Sequence, residues 1–365
     1  DALSLFRGMN MKTDVVIIGC GSTGKTTSAW LTLQGKSVTL CDAERFAPDM
    51  DAIRQQGGIL LRGRTGSTGK ALPSCMTTDF QKALAASRRV LICVPDYRQE
   101  EIAGRCAPHL TPEHCVLIVP GNLGSLIFRR VLKDAGCTDL PCLAEMSDNL
   151  WACRTTGNCE VLAALPLPPK RVAALPASDT GRVVAAFEDL FALVPGTNIL
   201  ETTLNSPNVL THLAGTIPNA SAVEKSNGQF AFFRDGLSPA VLRCIAAVEQ
   251  ERNAVLDALG LHRYGGSAAL CEALMNGDVP PGFELFLTLD GPGDLKHRYV
   301  TEDAACGMAL LVSLAEICGT NVPVSRALLT MASCINEDDY MTRGRTLKNM
   351  GLSGLGASEL MKRLG

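Results

Sequence analysis

Residues 13–26 read Thr13-Asp-Val-Val-Ile-Ile-Gly19-Cys-Gly21-Ser22-Thr23-Gly24-Lys25-Thr26, and this stretch decides the fold. A β-branched run meets a glycine turn, a helical pattern continues to Gln34, and after Gly35 a second apolar run extends from Ser37 to Cys41. That is a strand, turn, helix, strand unit. Gly19, Gly21 and Gly24 fit the G-x-G-x-x-G pattern, in which the backbone approaches a pyrophosphate held at the helix N-terminus, here the first residues Ser22 and Thr23. The same residues, taken as Gly19-x-x-x-x-Gly24-Lys25-Thr26, also satisfy a nucleoside triphosphate loop.

Context favours the dinucleotide. The second apolar run ends at Asp42, where a dinucleotide fold places an acid on the adenosine ribose hydroxyls. A triphosphatase needs instead an Asp ending an apolar strand to hold magnesium, and the only candidate is Asp96, displaced by Pro95. Asp42 would repel a 2′-phosphate and Arg45 reads as a solvated side chain, so NAD is expected, with NADP possible.

Working outward, apolar runs at 90–94 and 115–119 end in the loops Pro95-Asp96 and Pro120-Gly121-Asn122, with helical segments between them. The stretch 161–203 adds two short strands (VLAAL, RVAAL), a helix near 180–193 and a strand (TNILE). After Asn205-Ser-Pro207 the pattern becomes long amphipathic helices, about 207–222, 238–259, 302–318 and 323–335. The expected fold is therefore an α/β Rossmann domain with a doubly wound, mostly parallel sheet over residues 1–204, then an all-α domain over 205–365. The first ten residues read as an extension, with Met9 or Met11 as the natural start.

Length and composition agree. At 365 residues the chain has room for two domains, and 46% hydrophobic with 19% charged residues excludes a disordered chain. Thirty-four Lys and Arg nearly balance 37 Asp and Glu, for a formal charge of −3 without a long basic block, so neither nucleic acid nor membrane is expected as a partner. The 15 cysteines are scattered without a Cys-x-x-Cys pair, which points to reduced thiols in the cytoplasm and to no metal site.

In an open α/β sheet the ligand lies beyond the carboxyl ends of the strands, so Pro95, Asn122 and the 145–149 loop should border the cofactor. Hydride chemistry also needs a proton-transfer group, and histidine suits neutral pH. His109, His114 and His262 read as solvated, and His297 lies between Lys296 and Arg298. His212 differs: Ser206-Pro207 is a helix-start signal, and Asn208 lies one turn before His212 on the same face. A satisfied structural histidine is an equal reading of the same residues.

These segments together resemble the octopine dehydrogenase family, the opine dehydrogenases, which join a dinucleotide domain to a helical domain resembling that of 6-phosphogluconate dehydrogenase. The resemblance runs over almost the whole chain: Gly19 to Gly24, Pro120-Gly-Asn122 with Gly124, and Ala144-Glu145 through Trp151-Ala-Cys-Arg154. It continues through Asn205 to His212, Glu251-Arg252, Arg298-Tyr-Val-Thr-Glu-Asp303 and Arg343-Gly-Arg-Thr346. It implies reductive condensation of an amino acid with a 2-keto acid by NAD(P)H, with His212 as acid and base, Asp303 holding its tautomer, Arg298 on the keto acid carboxylate and Glu145 near the amine. Departures are Met146 to Trp151, which carry Asp148, Leu213 after His212, and Lys25 in the first helical turn.

Without the resemblance, Thr301-Glu302-Asp303 reads as the acidic first turn of a helix with which Arg298 pairs, and Glu251-Arg252 as a solvated or interdomain pair. Expected partners are small molecules, with a homodimer as the assembly entertained. Rival readings are a ketopantoate-reductase-like reductase of a free keto acid, a triphosphatase, and a non-catalytic nucleotide sensor.

Overall fold

The computed structural model describes residues 12–365. The first ten residues, read above as an extension, lie outside it. The chain divides into two compact units between Thr202 and Thr203.

The first unit is built on an eight-stranded sheet. Its strands are β1 (Val15–Ile18), β2 (Val38–Cys41), β5 (Cys75–Thr77), β6 (Arg89–Ile92), β7 (Cys115–Ile118), β8 (Cys142–Met146), β11 (Lys170–Leu175) and β12 (Leu193–Pro195). They lie in the order β12-β11-β8-β7-β6-β1-β2-β5. All neighbours are parallel except β11 against β8. β1, β2, β6 and β7 are buried along their whole length, which is why they read as continuous apolar runs instead of alternating ones. Helices α1 (Ser22–Leu33), α2 (Ala47–Gln55), α3 (Phe80–Leu84), α4 (Gln99–Cys106), α5 (Gly124–Asp134) and α6 (Thr180–Phe187) complete the unit, and α7 (Ile199–Leu204) spans the division.

A second sheet was not foreseen: β4 (Gly69–Ala71), β3 (Ile59–Gly63), β10 (Glu160–Ala163) and β9 (Cys153–Gly157), in that order. The VLAAL run supplies β10 here, parallel to β3, and does not extend the main sheet. TNILE is not a strand either: the Asn198 side chain accepts from Leu200 N and Glu201 N, so the segment opens α7.

The second unit is helical, with α8 (Ala220–Lys225), α9 (Pro239–Ala258), α10 (Ser267–Met275), α11 (Arg298–Glu302), α12 (Ala309–Cys318), α13 (Pro323–Asn336), α14 (Tyr340–Arg343) and α15 (Ala357–Leu364). Ser238 caps α9 by accepting from Val241 N, and prolines open α9 and α13, as the sequence signals require. The long helix expected over 207–222 is instead a π-helical segment (Val209–Leu213), one α turn (Ala214–Thr216), a 3-10 turn (Ile217–Asn219) and α8. The helix expected over 302–318 is likewise split into α11, a π segment (Asp303–Met308) and α12.

Candidate functional site

Two places hold the residues singled out from the sequence, one in each unit. In the first unit, the Gly19–Gly24 turn joins β1 to α1 as expected. Gly19 has φ +124°, and a Cβ there would strike the carbonyl of Cys93 beside it on the β6 end; a Cβ on Gly24 would strike the carbonyl of Gly19. Gly21 is different: a Cβ there would meet only open space. The turn is thus tight where it packs on the sheet and open at the helix N-terminus, where α1 has no side-chain cap. The hydroxyls of Ser22 and Thr23 are engaged by β9 and its approach, Ser22 with Thr155 at 2.9 Å and Thr23 with Asn149 at 2.9 Å.

Lys25 settles the ambiguity between the two glycine templates. Its side chain is turned into the unit, 3% of the residue is exposed, and its ammonium donates to Asp49 at 2.6 Å and to the Asn158 carbonyl at 3.3 Å. A phosphate-loop lysine must instead reach the phosphates. Asp96, the magnesium candidate, is equally committed: it accepts from Gln99 at 3.1 Å and from Asn122 at 2.7 Å. The triphosphatase reading is overturned by these contacts.

Asp42 departs from expectation. It is 0% exposed, and its carboxylate accepts from Cys20 N at 2.7 Å, from Ala43 N at 2.7 Å and from the Arg98 guanidinium at 2.7 and 3.3 Å. In this arrangement a ribose hydroxyl does not reach it. Arg98, absent from the sequence reading, lies over the Phe46 ring at 5.0 Å and ties the β6 loop to the end of β2. Arg45 is half exposed and paired with Glu101 at 2.9 Å.

The loops after β6 and β7 are stitched together. Gln99 donates to Asp96 and to the carbonyls of Pro120 and Gly121, while Asn122 (φ +48°) donates to Asp96. Glu145, expected to meet an amine, is 0% exposed. It packs under Gly121, where a Cβ would collide with it, and accepts from Ser125 N at the start of α5. The carboxylate therefore holds the turn and helix start in place and has no surface for substrate. Pro95 is partly exposed at the end of the β6 run, and Asn122 is buried.

In the second unit His212 and Asp303 come together as expected. His212 Nδ1 lies 2.9 Å from Asp303 Oδ2, with the two residues 7% and 5% exposed. Both stand on the π-helical segments, a distortion of the helix ladder that recurs at functional sites. The segments approach closely because Gly307 carries no side chain: a Cβ there would run into Val209. Burial pushes the Asp303 carboxyl up to about 7, and Arg298 pulls it down. Asn208 stands at the N-cap of the first π segment, partly exposed.

Arg298 opens α11, with 38% of its side chain exposed, and pairs with Glu302 at 3.2 Å. Glu302 ends this short helix and Asp303 opens the π segment that follows it. The cap of α11 is His297, whose Nδ1 accepts from Tyr299 N at 3.3 Å. Tyr299, missed from sequence, stacks on His212 with ring centroids 3.5 Å apart. The signal was there: 299 and 303 are four residues apart, on one face of a helix.

Other sequence readings are corrected. His114 is fully buried, with Thr111 N donating to its Nδ1 at 3.0 Å and the Leu84 carbonyl 3.1 Å from Nε2, and burial lowers its pKa. Arg252 is buried and donates to Leu204 O and Asn205 Oδ1, while Glu251 caps α13 through Val324 N and Ser325 N. Arg345 N donates to the Ala305 carbonyl in the second π segment. Among the described residues no group of three His, Cys, Asp or Glu could hold a metal, and no helix is long and apolar enough to cross a membrane.

Comparison with known proteins gives two matching domain families. Residues 195–336 match the NAD/NADP octopine/nopaline dehydrogenase alpha-helical domain, and residues 15–129 match ketopantoate reductase PanE/ApbA. An opine dehydrogenase of Arthrobacter sp. (strain 1C) is 29% identical, over 94% of this chain and 96% of its own. Protein ocs of Agrobacterium tumefaciens (strain Ach5) is 24% identical, over 96% and 98%. A solved octopine dehydrogenase, with NADH and L-arginine, superposes with TM-score 0.70 at 16% identity, over 95% of this chain and 97% of that one, which shows the shared fold.

Proposed function

We propose that this chain, whose residues 195–336 match the octopine/nopaline dehydrogenase alpha-helical domain, is an opine dehydrogenase. It condenses an amino acid with a 2-keto acid such as pyruvate, reduces the product to an N-(carboxyalkyl) amino acid with NAD(P)H, and runs the reverse oxidation. The observation that carries the reading is the buried His212–Asp303 contact of 2.9 Å, in the family's own domain and close along the chain to a half-exposed Arg298.

The chemistry follows from the pair. Asp303 commits Nδ1, so proton transfer falls to Nε2. His212 takes a proton from the incoming ammonium, the amine adds to the keto carbon while one of its own protons passes to the former keto oxygen, and the protonated ring then gives its proton to the hydroxyl, which leaves as water. The C=N carbon then takes a hydride, which the reduced nicotinamide supplies when bound. Arg298 presents a planar fork suited to the keto acid carboxylate, and Asn208, four residues before His212, serves as a further substrate contact.

The glycine turn fits the cofactor: it is open at Gly21, and the N–H groups of Ser22 and Thr23 stand at the helix start for a pyrophosphate. Asp42 no longer argues for NADH over NADPH, because Arg98 covers and neutralises it. All fifteen cysteines are unpaired, which supports a reducing compartment such as the cytoplasm.

The test is optical: NADH or NADPH consumption with pyruvate and a pool of amino acids, and with each omitted. Consumption that requires both supports imine reduction. Consumption with keto acid alone returns the reading to a free keto acid reductase, the activity named by the family matching residues 15–129.

A further inference from the structure

The Tyr299 ring lies flat against the His212 imidazole, centroids 3.5 Å apart and planes 12° apart, with both residues buried. Tyr299 is itself held from the other side. Its N–H donates to His297 Nδ1, the helix cap, and the His297 ring meets it edge-on at 4.7 Å and 82°. Four residues further along the same backbone stands Asp303, which takes His212 Nδ1. A single short segment, 297–303, thus supplies the imidazole with an in-plane partner and a face partner.

We propose that Tyr299 is a positioning residue for His212: its ring fixes the imidazole plane so that Nδ1 stays on Asp303 and Nε2 keeps its aim, and its face favours the protonated ring. This rests on the opine dehydrogenase reading, in which His212 moves the proton. A hydrogen bond to one carboxylate oxygen leaves an imidazole able to swing about that bond; a flat neighbour 3.5 Å away removes the swing. An aromatic face also attracts a cation over it, so stacking is worth more to the imidazolium than to the neutral ring.

Other groups on the packed elements do not substitute for it. Glu302 pairs with Arg298, and Cys306 lies on the same π segment as Asp303. On α9, Glu249 caps α10 through Ser267 N and Ala268 N, and Arg252 holds the Leu204–Asn205 turn. On α10, burial pushes the Cys271 thiol up to about 12, so it is uncharged.

The experiment compares full-length wild type with Tyr299→Phe, Tyr299→Leu, Tyr299→Met and His212→Ala. Histidine ring NMR titrations, with the His212 signal assigned by its loss in His212→Ala, are read beside kcat and KM. Tyr299→Leu is expected to lower the His212 midpoint by about 0.5 unit and kcat by about 10-fold with the NADH KM unchanged, while Tyr299→Phe stays within about 3-fold of wild type. Tyr299→Met gives the same comparison if the leucine variant does not fold. An unmoved His212 midpoint in the non-aromatic variants overturns the proposal, as does Tyr299→Phe falling as far as Tyr299→Leu. Full turnover in His212→Ala defeats the catalytic assignment instead, while the titration still decides the stack.

Discussion

Asp42 and Asp303 are both buried carboxylates paired with a nitrogen base, one in each unit, and the two bases differ in kind. Asp42 meets an arginine, whose charge is permanent at any ordinary pH. Asp303 meets an imidazole, whose charge can come and go near neutrality. The first pair cannot exchange a proton, so it is a clasp that holds the glycine turn, the end of β2 and the β6 loop together. The second pair has a partner that can gain or lose its proton, and burial lifts Asp303 to about 7, close to the range in which a histidine titrates. In the proposed reaction the first pair is scaffold and the second machinery, a difference set by the base opposite the buried acid.

That contrast can be broken by variants. Arg98→Ala leaves Asp42 buried without its cation, and we expect a loss of about 3–5 kcal/mol of stability in urea melts. A stable variant with unchanged melting would show that the clasp is not structural. His212→Ala is expected to lose about 10²-fold or more in turnover, about 2.7 kcal/mol of barrier, with little change in cofactor binding by titration. Comparable losses of folding in this variant would erase the distinction between the two pairs.

Asp303→Asn sharpens the comparison through pH. The folded carboxyl, at about 7, binds its proton more tightly than the unfolded one at its ordinary 3.8. The group's contribution to stability is therefore complete below the ordinary value and is lost as pH rises to about 7. Wild type should lose at least about 1 kcal/mol more than Asp303→Asn between pH 4 and 8 in paired urea melts. Parallel curves would mean that the burial of Asp303 carries no linked proton.

The smallest effect belongs to Lys25→Met. Its ion pair with Asp49 is another fixed-charge contact of the first unit, with the acid half exposed, so turnover should stay within about 3-fold. Magnesium-dependent ATP hydrolysis that disappears in this variant would restore the phosphate-loop reading.

Much of this was legible in sequence because it is local. The Thr13–Gly24 run carries strand, turn and helix signals in consecutive residues, and Ser238-Pro239 and Pro323 mark helix starts within one turn. The small sheet was not legible, since β3 and β10 are about a hundred residues apart and pair only in three dimensions. Glu145 was misjudged for the same reason: its charge suggested a ligand, and only the packing under Gly121 shows that it is sealed.

By itself the sequence determined the order of the two architectures and the glycine turn, while the trio His212, Arg298 and Asp303 came from the family resemblance. Periodicity, turn chemistry and residue type are written along the chain, and a resemblance can be matched to them residue by residue. The tertiary structure alone decided what each charged group faces. Lys25 could point at phosphates or at Asp49, Asp42 at a ribose or at Arg98, and Tyr299 at solvent or at His212. Such choices depend on which distant backbone closes over a side chain, because burial and pairing together set the cost of a charge.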